Sequence, residues 1–276
     1  MDWAAARAIL RGPIFAPLSR LLEQLPRDRW PSRDELTALA QGISTGSGAP
    51  LSFVVPRGNG DPPRPCYELY IAETGCVETR AENWHDLFNA LAWIAYPGAK
   101  AAINAQHVAI IEAGGAAEAR RRSPARDALT LFDEGGVAVA SADPELTKLM
   151  LGHDWKVLFW ERRAELSRSM AFFAFGHSLF EKGLAPFIGI VAKVVAFDVG
   201  RDFFAFGIES QRHEIDARLA AHFSERANFN SPRDMPVLPV LGIPGWHALT
   251  SEESFYDDTT HFRPDSRKRG QVTFTQ

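Results

Sequence analysis

Between Asn83 and His107 the chain places two His, an Asp, three Asn, a Gln, a Lys and two Trp on what otherwise reads as a pair of short buried helices. A polar group on an apolar helix costs roughly 1–3 kcal/mol if it has no partner, so such a density marks either a self-satisfied hydrogen-bond network or a site. His85 and Asn89 are four residues apart and share one helical face beside the apolar stripe of Trp84, Leu87, Phe88, Leu91 and Ala95. At that position His85 could be a metal ligand, a general base or a hydrogen-bonding post, with Asp86 as a neighbouring ligand or base. Asn104 and His107 lie three apart on the next helix. The Tyr96-Pro97-Gly98 turn makes the two helices neighbours and brings His107 towards the start of the first.

Two imidazoles do not complete a metal site, because a catalytic zinc normally has three protein ligands. His177 is the candidate for the third. It follows the apolar run Phe172 to Gly176, and Glu181 stands one helical turn further on as a second ligand or base. A divalent cation such as Zn or Mn is therefore the expected cofactor, if there is one. Asp127 and the Asp133-Glu134 pair offer carboxylates for acid–base work. Asp-Glu-Gly-Gly is equally a good turn, and Glu134 is assigned to the turn while Asp127 and Asp133 stay open. Arg80 and Arg126 could grip an anion bidentately, with Asn89 beside them, whereas the Arg120–Arg122 run reads as a solvated loop.

The elements that must position these groups follow from local signals. Residues 1–24 read as helical with a break at Pro13 and Pro17, and Ser32 with Glu35 has capping-box spacing for a helix near 33–41. Residues 42–50 form a Gly/Ser loop, 51–55 a strand and 56–65 a Pro/Gly loop. Residues 67–71 and 76–79 read as two strands of a hairpin around Glu73-Thr74-Gly75. Helices are expected at about 82–95 and 99–113, the second ending at Gly114-Gly115. Residues 129–132 and 137–140 read as another hairpin. Pro144 opens a short helix after Asp143, a longer one covers 154–166, and 170–175 is an apolar strand. A short helix at 177–182, strands at 187–197 and 203–206, and a helix at 213–225 complete the series.

Helices and strands interleave without a regular βαβ rhythm. This favours an α+β fold, a single compact domain with a mixed or antiparallel sheet and several packed helices. Residues 1–50 would be an N-terminal helical segment, 51–250 the main domain and 251–276 an irregular tail.

At 276 residues the chain can bury about three quarters of its unfolded surface and needs no structural disulfide or metal. With 46% hydrophobic and 23% charged residues it has the composition of an ordinary globular protein. A net charge of −4 argues against nucleic acid or a membrane surface as partner. The start of the chain has no signal-peptide pattern, and the two cysteines, Cys66 and Cys76, do not make a disulfide framework, so a cytoplasmic protein with reduced thiols is the default. Oligomeric state is not legible. There is no Walker loop, no Rossmann fingerprint, no Gly-x-Ser-x-Gly elbow and no His-Glu-x-x-His.

Four motifs in order carry a resemblance: NWHDLFNALAW with YPGAK and the later Asn-x-x-His, RDALTLFDEGG, FGHSLFEK, and LPVLGIPGW. Together they resemble the bacterial family called domain of unknown function 3025, over about Leu51 to Trp246. The resemblance implies a bacterial protein and the same polar segments, and no activity. A fainter likeness, from a hairpin through His85, Pro97, Lys100 and Asn104, is to the entry of HNH-type nucleases. Ala105 stands where those place a catalytic His, which argues against that chemistry. The residues taken together predict a metal-assisted hydrolase acting on a phosphoester or other anionic small molecule. The alternative is a non-enzymatic binding or scaffold protein whose polar cluster is structural.

Overall fold

Side-chain caps start the first helices. In the structure, a computed structural model that describes residues 1–58 and 66–264 (less the side chains of 116, 117, 119 and 120), Asp2 accepts from the Ala5 amide and opens α1 (Trp3–Ile9). A 3₁₀ segment, Pro13–Leu18, occupies the expected proline break and runs into α2 (Ser19–Gln24). Ser32 and Glu35 form a complete capping box at the start of α3 (Arg33–Leu39). Trp3, Trp30 and Trp84 pack ring on ring, which fixes the N-terminal helices against the start of a central helix.

The first expected hairpin is a strand–helix–strand unit. β1 (Ser52–Val54) leads to α4 (Tyr67–Thr74), and β2 (Cys76–Glu78) then pairs parallel to β1. Gly75 ends a helix and does not turn a hairpin. Its φ of 70° is left-handed, its amide donates to the Ile71 carbonyl at 2.8 Å, and a Cβ there would strike the Pro50 carbonyl. Most of the expected 56–65 loop and the end of the tail lie outside the described residues.

α5 (Trp84–Ala95) begins on Asn83, whose side chain accepts from the Asp86 amide. α6 (Pro97–Arg120) follows almost without a loop and is broken at Gly115, close to its expected end. Asp216, buried and far along the chain, caps α6 by accepting from the Gly98 and Ala99 amides at 3.1 and 2.8 Å. Burial pushes the Asp216 carboxyl up, and those two backbone donors oppose the rise.

The second expected hairpin is also corrected. Residues Pro124–Gly135 are one helix, α7, with Pro124 at its first position and Ser123 as cap. Ala125, Ala128, Leu129 and Phe132 are buried at helical spacing, and this period overrides the turn chemistry of Asp-Glu-Gly-Gly. β3 (Gly136–Ser141) starts at once and is buried at all six positions. α8 (Pro144–Leu151), a π-helical turn Val157–Glu161, α9 (Arg163–Ser169), β4 (Met170–Ala174), α10 (His177–Gly183) and β5 (Val191–Asp198) follow. The strand expected at 203–206 is a 3₁₀ turn, Arg201–Ala205, closed by the Phe206 amide on the Phe203 carbonyl. α11 (Ile208–Ser224) and β6 (Val237–Pro239) complete the regular elements.

The larger sheet has the order β4-β3-β5-β6. β3 pairs antiparallel with β4 and parallel with β5, and β5 pairs antiparallel with β6, so the sheet is mixed and the fold is α+β. One contiguous core runs from Trp3 through the sheet to Phe255, Tyr256 and Phe262. Among the described residues no helix is long and apolar enough to cross a membrane.

Candidate functional site

Four helices turn a polar face towards one cavity. α5 presents His85, Asp86, Asn89 and Trp93, and α6 presents Lys100, Ile103, Asn104 and His107, each set at the spacing that keeps residues on one side of a helix. α4 adds Tyr67, Glu68 and Ile71, and α7 adds Thr130, Asp133 and Glu134. His177 closes the ring from the first position of α10. The cavity has a volume of about 370 Å³, enough for a small molecule. All three histidines singled out in the sequence line it.

Gly176 makes that convergence possible. A Cβ at this position would run into the Glu134 carbonyl, so only glycine lets the β4–α10 corner lie on the end of α7. His177 consequently stands beside Asp133, with Nδ1 at 3.6 Å from Oδ2. Its ring meets His85 edge to face, with centroids 4.5 Å apart. His85 in turn shares a 3.1 Å contact with the Glu181 carboxylate through Nδ1. On the other side of Asp133, Lys100 donates to Oδ1 at 2.6 Å and to the Asn89 amide oxygen at 3.0 Å. The Lys100 side chain is only 4% exposed. Asn89 and the three histidines thus line one space, Glu181 is tied to it through His85, and the link between His85 and Glu181 joins two helices instead of sitting on one.

The electrostatics of this chain separate charged from neutral members. Burial pushes the His177 imidazole down to about 4, with Lys100 and His85 adding to the fall and Asp133 opposing it. Burial also lowers His107. Burial alone would raise the Asp133 carboxyl, but the charge of Lys100 and the hydrogen bond it donates outweigh burial and hold the group below the usual carboxylate range. At neutral pH the cavity therefore contains an ionised Asp133–Lys100 pair and two neutral imidazoles.

Three buried polar atoms on residues that line the cavity have no hydrogen-bond partner among the described residues: Asn104 Oδ1, His107 Nδ1 and His177 Nδ1. A lost partner of this kind costs about 1–3 kcal/mol unless water or a ligand in the cavity supplies it.

Other expected site residues do different work. Asp86 is engaged by Arg80 through the backbone amide at 2.7 Å and the guanidinium at 2.8 Å twice. Burial would raise that carboxyl, and the Arg80 bonds lower it further than burial raises it. Asp86 and Arg80 thus hold the start of α5 and are not a free base and a free anion grip. Arg126 is buried outside the cavity, where it donates to the Glu118 carbonyl at 3.1 Å and leans on the Glu118 carboxylate and the Cys66 sulfur. Asp127 is exposed and does not reach the cavity. Arg121 and Arg122 are exposed as expected, and the Arg120 side chain lies outside the described residues. Among the described residues no three His, Cys, Asp or Glu side chains are gathered closely enough to hold a metal ion.

Lys100, Asn104, Glu68 and Asp133 are the site residues that sequence reasoning undervalued. Lys100, Asn104 and His107 carry a helical signal, since they fall at i, i+4 and i+7. Glu68 was hidden by the strand assignment of its segment.

The motifs on these walls lie within a match to the family model described as a protein of unknown function (DUF3025), over residues 51–266. The chain belongs to this family. No curated protein and no solved structure matches it. The matched region contains every element that lines the cavity.

Proposed function

We propose that the cavity is the active site of a hydrolase that activates water by general-base catalysis. The observation that carries this reading is His177, a buried neutral imidazole beside an ionised carboxylate in a space open to a small molecule. In the proposed reaction His177 takes a proton from water as the water attacks the substrate. Asp133 orients the ring through Nδ1–H and stabilises the imidazolium that forms. Their 3.6 Å separation would close to a hydrogen bond on substrate binding. Lys100 donates to Asp133 and Asn89 and lies over the Trp93 ring, and its third ammonium donor would serve the developing oxyanion. The His177 imidazolium then gives that proton to the leaving group, while His85, braced by Glu181, lies against His177 and holds its ring in place.

In this reading the attacking water is activated by the His177 imidazole and not by a metal ion. It also moves away from a phosphoester, because Arg80 is engaged by Asp86 and Arg126 by Glu118, which leaves the exposed Arg122 among the described cations of the cavity to meet a phosphate. We assign the protein to the cytoplasm, where free thiols such as Cys66 and Cys76 persist.

A panel of p-nitrophenyl esters and aminoacyl p-nitroanilides, with p-nitrophenyl phosphate as the class expected to be inert, tests the proposal. One class should be turned over, and His177→Gln should lower that turnover by about 100-fold or more. A wild-type protein that hydrolyses none of them faster than buffer overturns it. The satisfied pairs Lys100–Asp133 and Arg80–Asp86 favour a second reading, a scaffold in which the polar residues only lock the helices together. On that reading removal of His85 or Asn89 would cost folding stability and nothing else.

A further inference from the structure

Water activation at His177 leaves another part of the cavity unexplained. There Asn104 and His107, 2% and 3% exposed, each carry a polar atom with no partner, and Glu68 stands next to them. We infer that the Glu68–Asn104–His107 end of the cavity binds a protonated primary amine, so that the substrate is a small amine-bearing ester or amide. The amine end is argued from its own geometry, while the word substrate rests on the hydrolase reading above.

The orientation of Asn104 decides what it can bind. Its Nδ2 donates to the Glu68 carbonyl at 3.0 Å and to the Glu68 carboxylate at 2.9 Å. Flipping the amide would set an oxygen against two oxygens, so the assignment is fixed by the partners and Oδ1 is the unpartnered acceptor. The Glu68 carboxylate offers further acceptor positions beside it, and a neutral His107 offers a ring nitrogen lone pair. An ammonium group has three donors and no acceptor, and it meets this arrangement of a carboxylate, an amide oxygen and an imidazole. A carboxylate or phosphate would meet acceptors instead.

Charge agrees with the hydrogen-bond pattern. Of the cations lining the described cavity, Arg80 is held by Asp86 and Lys100 by Asp133, which leaves the exposed Arg122, whose charge reaches His107. Glu68 and Glu134 add negative charge, and among the described residues no cation is bonded to either. Ile71 and Ile103 supply apolar wall, which keeps local screening weak and favours a charged ligand that carries its own donors.

The test is binding of three probes of one shape to the full-length chain, n-butylamine, n-butanol and butyrate, followed by NMR titration. The amine should bind at least about tenfold more tightly than the alcohol, and butyrate should not compete with it. Glu68→Gln should lower the amine affinity by about tenfold and leave the alcohol unchanged. The wild-type comparison needs no variant, so it holds even if Glu68→Gln fails to fold. Equal affinity for amine and alcohol, tighter binding of butyrate, or no amine binding at millimolar concentration overturns the inference. His177→Gln should retain the amine affinity while losing turnover. Turnover without amine selectivity therefore sinks the amine site and leaves the hydrolase standing. Amine selectivity without turnover in any substrate class supports the amine site and sinks the hydrolase.

Discussion

Acid should destabilise this protein through His177, and the size of the effect follows from its surroundings. The imidazole is held at about 4 in the folded chain against an ordinary value of 6.5, chiefly by burial. The folded state thus favours the neutral ring, and the unfolded chain binds a proton first as pH falls. Stability from this group is complete above the unfolded value, declines as pH drops below 6.5, and stops declining only below the folded value. The shift corresponds to a loss of about 2 kcal/mol by about pH 5 and about 3 kcal/mol at the acid limit. His107, His222 and His261 are lowered by burial as well and add losses in the same direction. The informative quantity is therefore a difference. Urea midpoints of wild type and His177→Gln should be followed from neutral pH to about pH 4.5, where the wild-type curve should fall more steeply by about 2 kcal/mol. Parallel curves would show that His177 titrates as an ordinary surface imidazole, and the argument from its burial would fail. The same lowered value sets the acid limb of kcat/KM well below 6.5 if His177 is the base.

Two further outcomes follow from particular contacts. Lys100 is almost fully buried and Asp133 is 22% exposed, so removing one partner leaves a charge without compensation. Asp133→Asn and Lys100→Met should each cost about 3 kcal/mol, and the double variant should cost less than the sum, as a double-mutant cycle by chemical denaturation will show. Protein purified without a metal-binding tag should carry substoichiometric Zn and Mn, and a chelator should leave both melting temperature and turnover unchanged, because no three donors are gathered among the described residues. Stoichiometric metal by elemental analysis would contradict this.

Local signals in the sequence were legible where the structure is local. The Ser32–Glu35 box, the Asp143 cap before Pro144 and the apolar stripe of α5 all appear as read, because each depends on residues within one or two turns. The two expected hairpins failed because good turn residues, Gly75 and Gly135-Gly136, were weighed above helical spacing. That error mattered for the site. It placed Asp133 in a turn, whereas it sits in the last turn of α7 and faces His177. The histidines could be nominated from their apolar neighbourhoods, but the partners that define their chemistry come from far along the chain. Lys100 meets Asp133 across 33 residues, Asn104 meets Glu68 across 36, and His85 meets Glu181 across 96. Arg80 and Asp86 are only six apart, and their mutual neutralisation was within reach of the sequence.

Replacement of His177 by Leu is the most direct measurement of whether the cavity exists for chemistry or for folding. Its Nδ1 is buried without a hydrogen bond, so an apolar side chain of similar size should leave the unfolding midpoint unchanged or higher while turnover falls by about 100-fold or more. A variant that loses about 2 kcal/mol or more of stability while its folded fraction keeps wild-type turnover would contradict the account and make the polar ring a structural network.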